Sequence, residues 1–278
     1  MTKTIVVFLT EAATVADALD AAAAAARLPA TIVAIPVGSD PRHGHAAPEE
    51  TALQWLRESR EGPFAARRAE IRAAFDSYAA AEAATGAATG VVWRDEPGDV
   101  AAAVATAAGA ADLVVLAYPR HLDGRDALHE ALFQTGRLVL LAPARARAVC
   151  VADRPVIGRH IAIGWKTGAP VERAVAAAAD WLRRAERLTV LCVTRPETIS
   201  YGRRAGEAMA ALGLAAEVVD LPRSGASVGR QLVAAAAERG ADSLLIGAFR
   251  HGEVWETLLG GVTRDVLAAA ALPVFMRA

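Results

Sequence analysis

Short runs of β-branched and other apolar residues alternate along this chain with alanine-rich stretches that carry charges at helical spacing. Strands and helices taking turns in this way build a parallel sheet, because each parallel connection needs a long crossover and a helix supplies it. The first half predicts strands over 4–9, 31–37, 91–93, 112–117 and 138–141, with helices over 15–27, 98–109 and 126–136. Gly38-Ser39-Asp40-Pro41 breaks the pattern, and 48–84 then reads as one or two long helices, more than a plain crossover needs. That added segment is expected either to cover a face of the first half or to pair with a second chain.

The second half repeats the programme, with strands over 160–165, 188–193, 215–219, 243–247 and 273–276 and helices over 169–186, 200–212, 225–239 and 254–270. Residues 111–121 align with 241–251, and Ala111, Asp112, Arg120 and His121 recur as Ala241, Asp242, Arg250 and His251. Duplication of one domain explains the match. The Arg-, Ala- and Pro-rich stretch 143–159 has no clear helical face, which puts the domains at 1–144 and 157–278. A length of 278 residues suits two ordinary domains.

With 54% hydrophobic residues and mean hydropathy +0.28, both halves can bury a core. Thirty basic against 31 acidic residues leave a net charge of -1, so the broad basic field of a duplex nucleic-acid binder is missing. The basic residues are arginines apart from Lys3 and Lys166. Two cysteines, Cys150 and Cys192, suit a reducing compartment and exclude a disulfide framework. Cys192 lies in an apolar run and reads as a buried thiol. The first apolar run ends at Glu11, too short for a signal sequence, and no apolar run approaches the ~18 residues of a membrane helix. A cytoplasmic protein without nucleic-acid or membrane partners is expected.

Ligands of open parallel sheets bind outside the carboxyl ends of the strands, where the winding direction reverses. In the second half that position is followed by Gly247, Arg250, His251 and then Gly260-Gly261-Val262-Thr263, glycines and a hydroxyl of the kind a phosphate cradle uses. Here the sequence resembles the universal stress protein family in its tandem form, most specifically in 240–251, in Leu258-Leu259-Gly260-Gly261-Val262-Thr263-Arg264-Asp265-Val266-Leu267 and in the closing Leu272-Pro273-Val274-Phe275-Met276. The resemblance implies two similar doubly wound α/β domains, each a five-stranded parallel sheet flanked by helices. This is a Rossmann-like fold of the adenine-nucleotide alpha-hydrolase type. It also implies an intramolecular pseudo-dimer, in which the strand from Leu138 to Leu141 pairs with that from Pro273 to Met276. Such pairing would remove two exposed apolar edges.

The family's nucleotide binders carry Gly, two residues, Gly, nine residues, Gly, then Ser or Thr. In the second half these positions hold Gly247, Arg250, Gly260 and Gly261, so two depart; in the first they hold Ala117, Arg120, Glu130 and Ala131, and no glycine remains. The family's Asp after the first strand is Lys166 in the second half and Thr10 in the first. Asp123 and Asp126 add negative charge where phosphates would lie. If the second half does bind ATP, the resemblance places Lys166, Thr167, Val193, Gly247, Arg250, His251, Gly260, Gly261 and Thr263 around it. Gly260 and Gly261 serve equally well to let the last helix pack closely, and Arg250 with His251, recurring as Arg120 with His121, can be an anion site, a solvated loop or an ion pair with acidic neighbours such as Glu253 or Asp123.

His43-Gly44-His45 lacks a third metal ligand and reads as loop. Hydrolase elbows, lysine phosphate loops and zinc-helix motifs are absent from the sequence. Tryptophans at 55, 93, 165, 181 and 255 are scattered, as core or interface anchors are. Three functions follow: a non-enzymatic stress-response regulator or scaffold with eroded nucleotide sites; an ATP-binding protein with one site in the second domain; or a slow ATP-hydrolysing enzyme, for which no base is visible. A homodimer and an unidentified protein partner fit the first.

Overall fold

The structure, a computed structural model, describes residues 2–26, 29–39, 48–84, 90–143, 156–194, 200–248 and 260–278, with backbone alone at 48–54 and 200. The chain divides into two compact units, Met1–Ala144 and Arg145–Ala278.

The first unit contains β1 (Lys3–Leu9), α1 (Val15–Ala25), β2 (Ala30–Pro36), α2 (Pro48–Glu61), α3 (Phe64–Ala84), β3 (Val91–Trp93), α4 (Val100–Ala108), β4 (Leu113–Ala117), α5 (Leu122–Phe133) and β5 (Val139–Ala142). Its strands lie in the order β3-β2-β1-β4-β5, all parallel. Winding therefore reverses between β1 and β4. Ile5 to Leu9 of β1 and Leu113 to Leu116 of β4 are buried, as expected of strands covered on both faces.

The second unit contains β6 (His160–Gly164), α6 (Ala169–Ala177), the short α7 (Ala179–Leu182), β7 (Arg187–Thr194), α8 (Ser200–Ala211), β8 (Glu217–Pro222), α9 (Val228–Glu238), β9 (Ser243–Gly247), α10 (Gly261–Ala269) and β10 (Val274–Arg277). Its order, β10-β9-β6-β7-β8, is again parallel and repeats the topology of the first unit, with the reversal between β6 and β9.

Some boundaries differ from the sequence reading. The helix expected over 169–186 is interrupted at Ala178, the strand expected over 215–219 runs from Glu217 to Pro222, and α5 begins at Leu122 rather than near 126. The early start of α5 has a cause remote in sequence: the Glu61 carboxylate accepts a hydrogen bond from Leu122 N at 3.0 Å, capping a helix whose N-cap His121 supplies no side-chain bond.

The recurring aspartates Asp112 and Asp242 have a shared structural task. Asp112 accepts from Thr4 N at 2.8 Å and pairs with Lys3 Nζ at 3.0 Å. Asp242 accepts from the backbone N–H groups of Gly158 (2.7 Å), Arg159 (2.9 Å) and His160 (2.8 Å) and from Ser243 Oγ (2.8 Å). Each carboxylate thus satisfies the amide donors where the unit's first strand begins.

The segment 48–84 forms two helices, and the second covers a face of the first unit. Helix α3 buries Ile71 and Phe75, Tyr78 Oη donates to the buried Asp20 carboxylate at 3.0 Å, and the Phe75 and Trp93 rings lie 5.1 Å apart beneath the Arg72 guanidinium. Trp165 and Trp181 are buried, whereas Trp55 on α2 is 73% exposed. Cys150 and Trp255 lie outside the described residues. Among the described residues no helix is long and apolar enough to cross a membrane.

Cys192 is fully buried in β7, and burial, with a smaller contribution from the Asp220 carboxylate, pushes its thiol up to about 12. The folded chain thus holds a proton that the unfolded chain releases near pH 9, so stability falls as pH rises from about 9 towards 12, by at most ~1.4 kcal/mol per pH unit. Urea unfolding at stepped pH should show this slope, and Cys192→Ala should flatten it.

Candidate functional site

In the second unit the crevice lies at the ends of β6 and β9. Lys166 follows β6 and is exposed; Thr167 is half-buried, and its Oγ1 is buried without a hydrogen-bond partner among the described residues. Val193 is half-buried near the end of β7. Gly247 ends β9, and a Cβ there would lie 2.6 Å from Pro170 C and Val171 N, so the first turn of α6 rests directly on this glycine. Close helix–strand approach by itself demands glycine at 247.

At the start of α10, Gly260 is the buried N-cap and supplies no side-chain hydrogen bond. Gly261 is exposed, and a Cβ on it would meet nothing within 4 Å among the described residues. Thr263 is buried on the inner side of α10 with Val266 and Leu267. The close helix crossing falls instead at Gly229 of α9, where a Cβ would lie 2.6 Å from Val262 O. Arg250 and His251 lie outside the described residues, as do His43 and His45.

The crevice of the first unit, at the ends of β1, β2 and β4, is occupied by the chain itself. The corner between α2 and α3 brings four side chains into it. Arg57 donates to both Asp123, at 3.0 Å, and Asp126, and also to Ser39 Oγ just after β2. Arg67 donates to the other oxygen of Asp123 and to Gly62 O. The Phe64 ring and the Asp123 carboxylate close over Gly38, where a Cβ would lie 2.4 Å from the ring and 2.8 Å from Oδ2. Glu61 caps α5 and stands 3.9 Å from His121 Nδ1, while His121 Nε2 meets Glu11, just after β1, at 3.2 Å. On the sheet side, Thr10 Oγ1 would lie 3.1 Å from a Cβ at Gly124, so the first turn of α5 is seated against the end of β1.

The electrostatics invert those of a phosphate cradle. Such a site leaves the N–H groups at a helix N-terminus free to meet an anion. Here the α5 N-terminus has anions of its own: the Glu61 carboxylate on Leu122 N, and Asp123, 1% exposed, in its first turn. Two guanidiniums then neutralise the aspartates. Burial holds the Asp126 carboxyl above its ordinary value against the pull of Arg57, and burial likewise raises that of Glu11, opposed by His121 and Arg120.

The negative charge read from Asp123 and Asp126 is therefore at the crevice. Its partners Arg57, Glu61, Phe64 and Arg67 escape the sequence reading, because charges repeating through 57–68 resemble a solvated helix face. Among the described residues no group of three or more His, Cys, Asp or Glu side chains could hold a metal ion.

No family model and no curated protein matches the sequence. Solved structures do match. A universal stress protein from Archaeoglobus fulgidus DSM 4304 aligns over 99% of this chain and 95% of its own, with TM-score 0.61 and 14% identity. A functionally unknown protein from Pseudomonas aeruginosa PAO1 aligns over 99% and 92%, with TM-score 0.53 and 14% identity. A protein from Pseudomonas aeruginosa UCBPP-PA14, described as a universal stress protein, aligns over 99% and 93%, also with TM-score 0.53 and 14% identity. The chain has the fold of the universal stress proteins over 99% of its length, as its sequence resemblance implied.

Proposed function

We infer that this chain acts as a tandem universal stress protein: a non-enzymatic regulatory or scaffold module of the cytoplasm whose nucleotide sites are eroded. One observation carries the reading, the first crevice filled by Arg57, Glu61, Phe64 and Arg67 of the same chain. A triphosphate there would have to displace a capping carboxylate and approach two aspartates. In the second unit the erosion is chemical, with exposed Lys166 at the position of the family's Asp and Gly247 demanded by packing.

Pairing of the two units through Leu138 to Leu141 and Pro273 to Met276 belongs to the same reading. Its support is that β5 and β10 are each apolar and each lie at one edge of their own unit's five strands. A homodimer and a protein partner are the expected associations.

ATP binding by the second unit is the competing reading, favoured by the space at Gly261 and by the Thr167 hydroxyl, which has no hydrogen-bond partner, both among the described residues. Acid extraction of protein purified without added nucleotide separates the two. Eroded sites predict an extract with almost no adenine absorbance, and close to one nucleotide per chain would overturn the reading.

A further inference from the structure

We propose that the crevice of the first unit is a receptor for guanidinium groups, and that the α2–α3 corner is its resident ligand and acts as a plug. The proposal rests on the geometry of this unit alone and stands apart from whether the second unit binds ATP.

The site has the features of planar cation recognition. Asp123 is buried and offers its two oxygens to two different guanidiniums, Arg57 and Arg67. Asp126 and Ser39 Oγ take further N–H groups of Arg57, and Gly62 O takes one of Arg67. The acceptors of the crevice itself come from α5 and from the residues just after β2, whereas Gly62 O belongs to the corner. A fork of several coplanar donors fits such a divided set, whereas an ammonium, a compact point charge, fits it poorly. Around the acceptors the crevice adds the Glu11 carboxylate, with Arg120 as its cationic neighbour and His121 Nε2 at 3.2 Å. An anion has no comparable place, because the α5 N-terminus is already capped by Glu61.

The Phe64 ring against Gly38 completes the seat, so the corner enters as one unit: an aromatic ring flanked by two arginines.

Chemical rescue tests the proposal in the full chain. Arg57→Ala/Arg67→Ala leaves the acceptors without donors and should lower the melting temperature. Guanidinium chloride at 20 mM should then raise the variant's melting temperature by several degrees relative to equal sodium chloride. Methylammonium chloride should recover less than half of that shift, the wild type should not respond, and adding Asp123→Asn should abolish the response. If the double variant does not fold, Arg57→Ala alone carries the same comparison. Equal shifts from guanidinium and methylammonium, or no shift from either, would overturn the proposal.

Discussion

Replacing Asp123 with alanine is expected to lower the free energy of unfolding of the first unit by about 3–5 kcal/mol, because the change strands two guanidiniums in a crevice built to neutralise them. Arg57 and Arg67 are 19% and 14% exposed, too enclosed for solvent to replace the lost carboxylate fully. The complementary experiment replaces the whole group. Asp123→Leu combined with Arg57→Met and Arg67→Met removes every buried charge of the trio at similar volume, and it should cost less than the single alanine variant. Urea unfolding followed by circular dichroism measures both. A single variant within about 1 kcal/mol of wild type would mean that the corner does not hold the crevice shut.

The second large effect belongs to Asp242. Its carboxylate accepts three backbone N–H groups and a hydroxyl at the start of β6, and charge-assisted hydrogen bonds contribute about 1.5–3 kcal/mol each. Partial solvation of the site discounts the sum, so Asp242→Ala should destabilise the second unit by about 2–4 kcal/mol. Asp112→Ala, which loses one backbone donor and a lysine that water can solvate, should cost less. The ranking is the informative part: equal losses in urea unfolding would show that the duplicated aspartates do not act through the amide donors they satisfy.

Strand positions were legible because strands covered on both faces are written as continuous apolar runs, as in β1 and β4. The recurrence of Ala-Asp and Arg-His pointed to a repeated unit, and the shared task of Asp112 and Asp242 accounts for the aspartate in that match. The start of α5 was not legible, since its cap is a carboxylate 61 residues away. Of the glycines singled out for phosphate contact, Gly247 and Gly261 separate only in three dimensions: Gly247 is fixed by the backbone of α6, whereas a Cβ on Gly261 meets nothing within 4 Å among the described residues. The filled crevice was the least legible feature. Asp123 and Asp126 stood out in the sequence, but nothing local in Arg57 or Arg67 says that a turn at Gly62-Pro63 carries them there.

The central claim, a universal stress fold whose crevices no longer take nucleotide, is tested most directly by melting the purified chain with and without millimolar ATP and Mg²⁺. A ligand at 100 times its Kd stabilises the native state by about 2.7 kcal/mol, which for units of this size corresponds to a shift of several degrees. The account predicts no shift beyond that given by Mg²⁺ alone. A shift of several degrees that Gly260→Asp abolishes would contradict it and place a working nucleotide site at the start of α10.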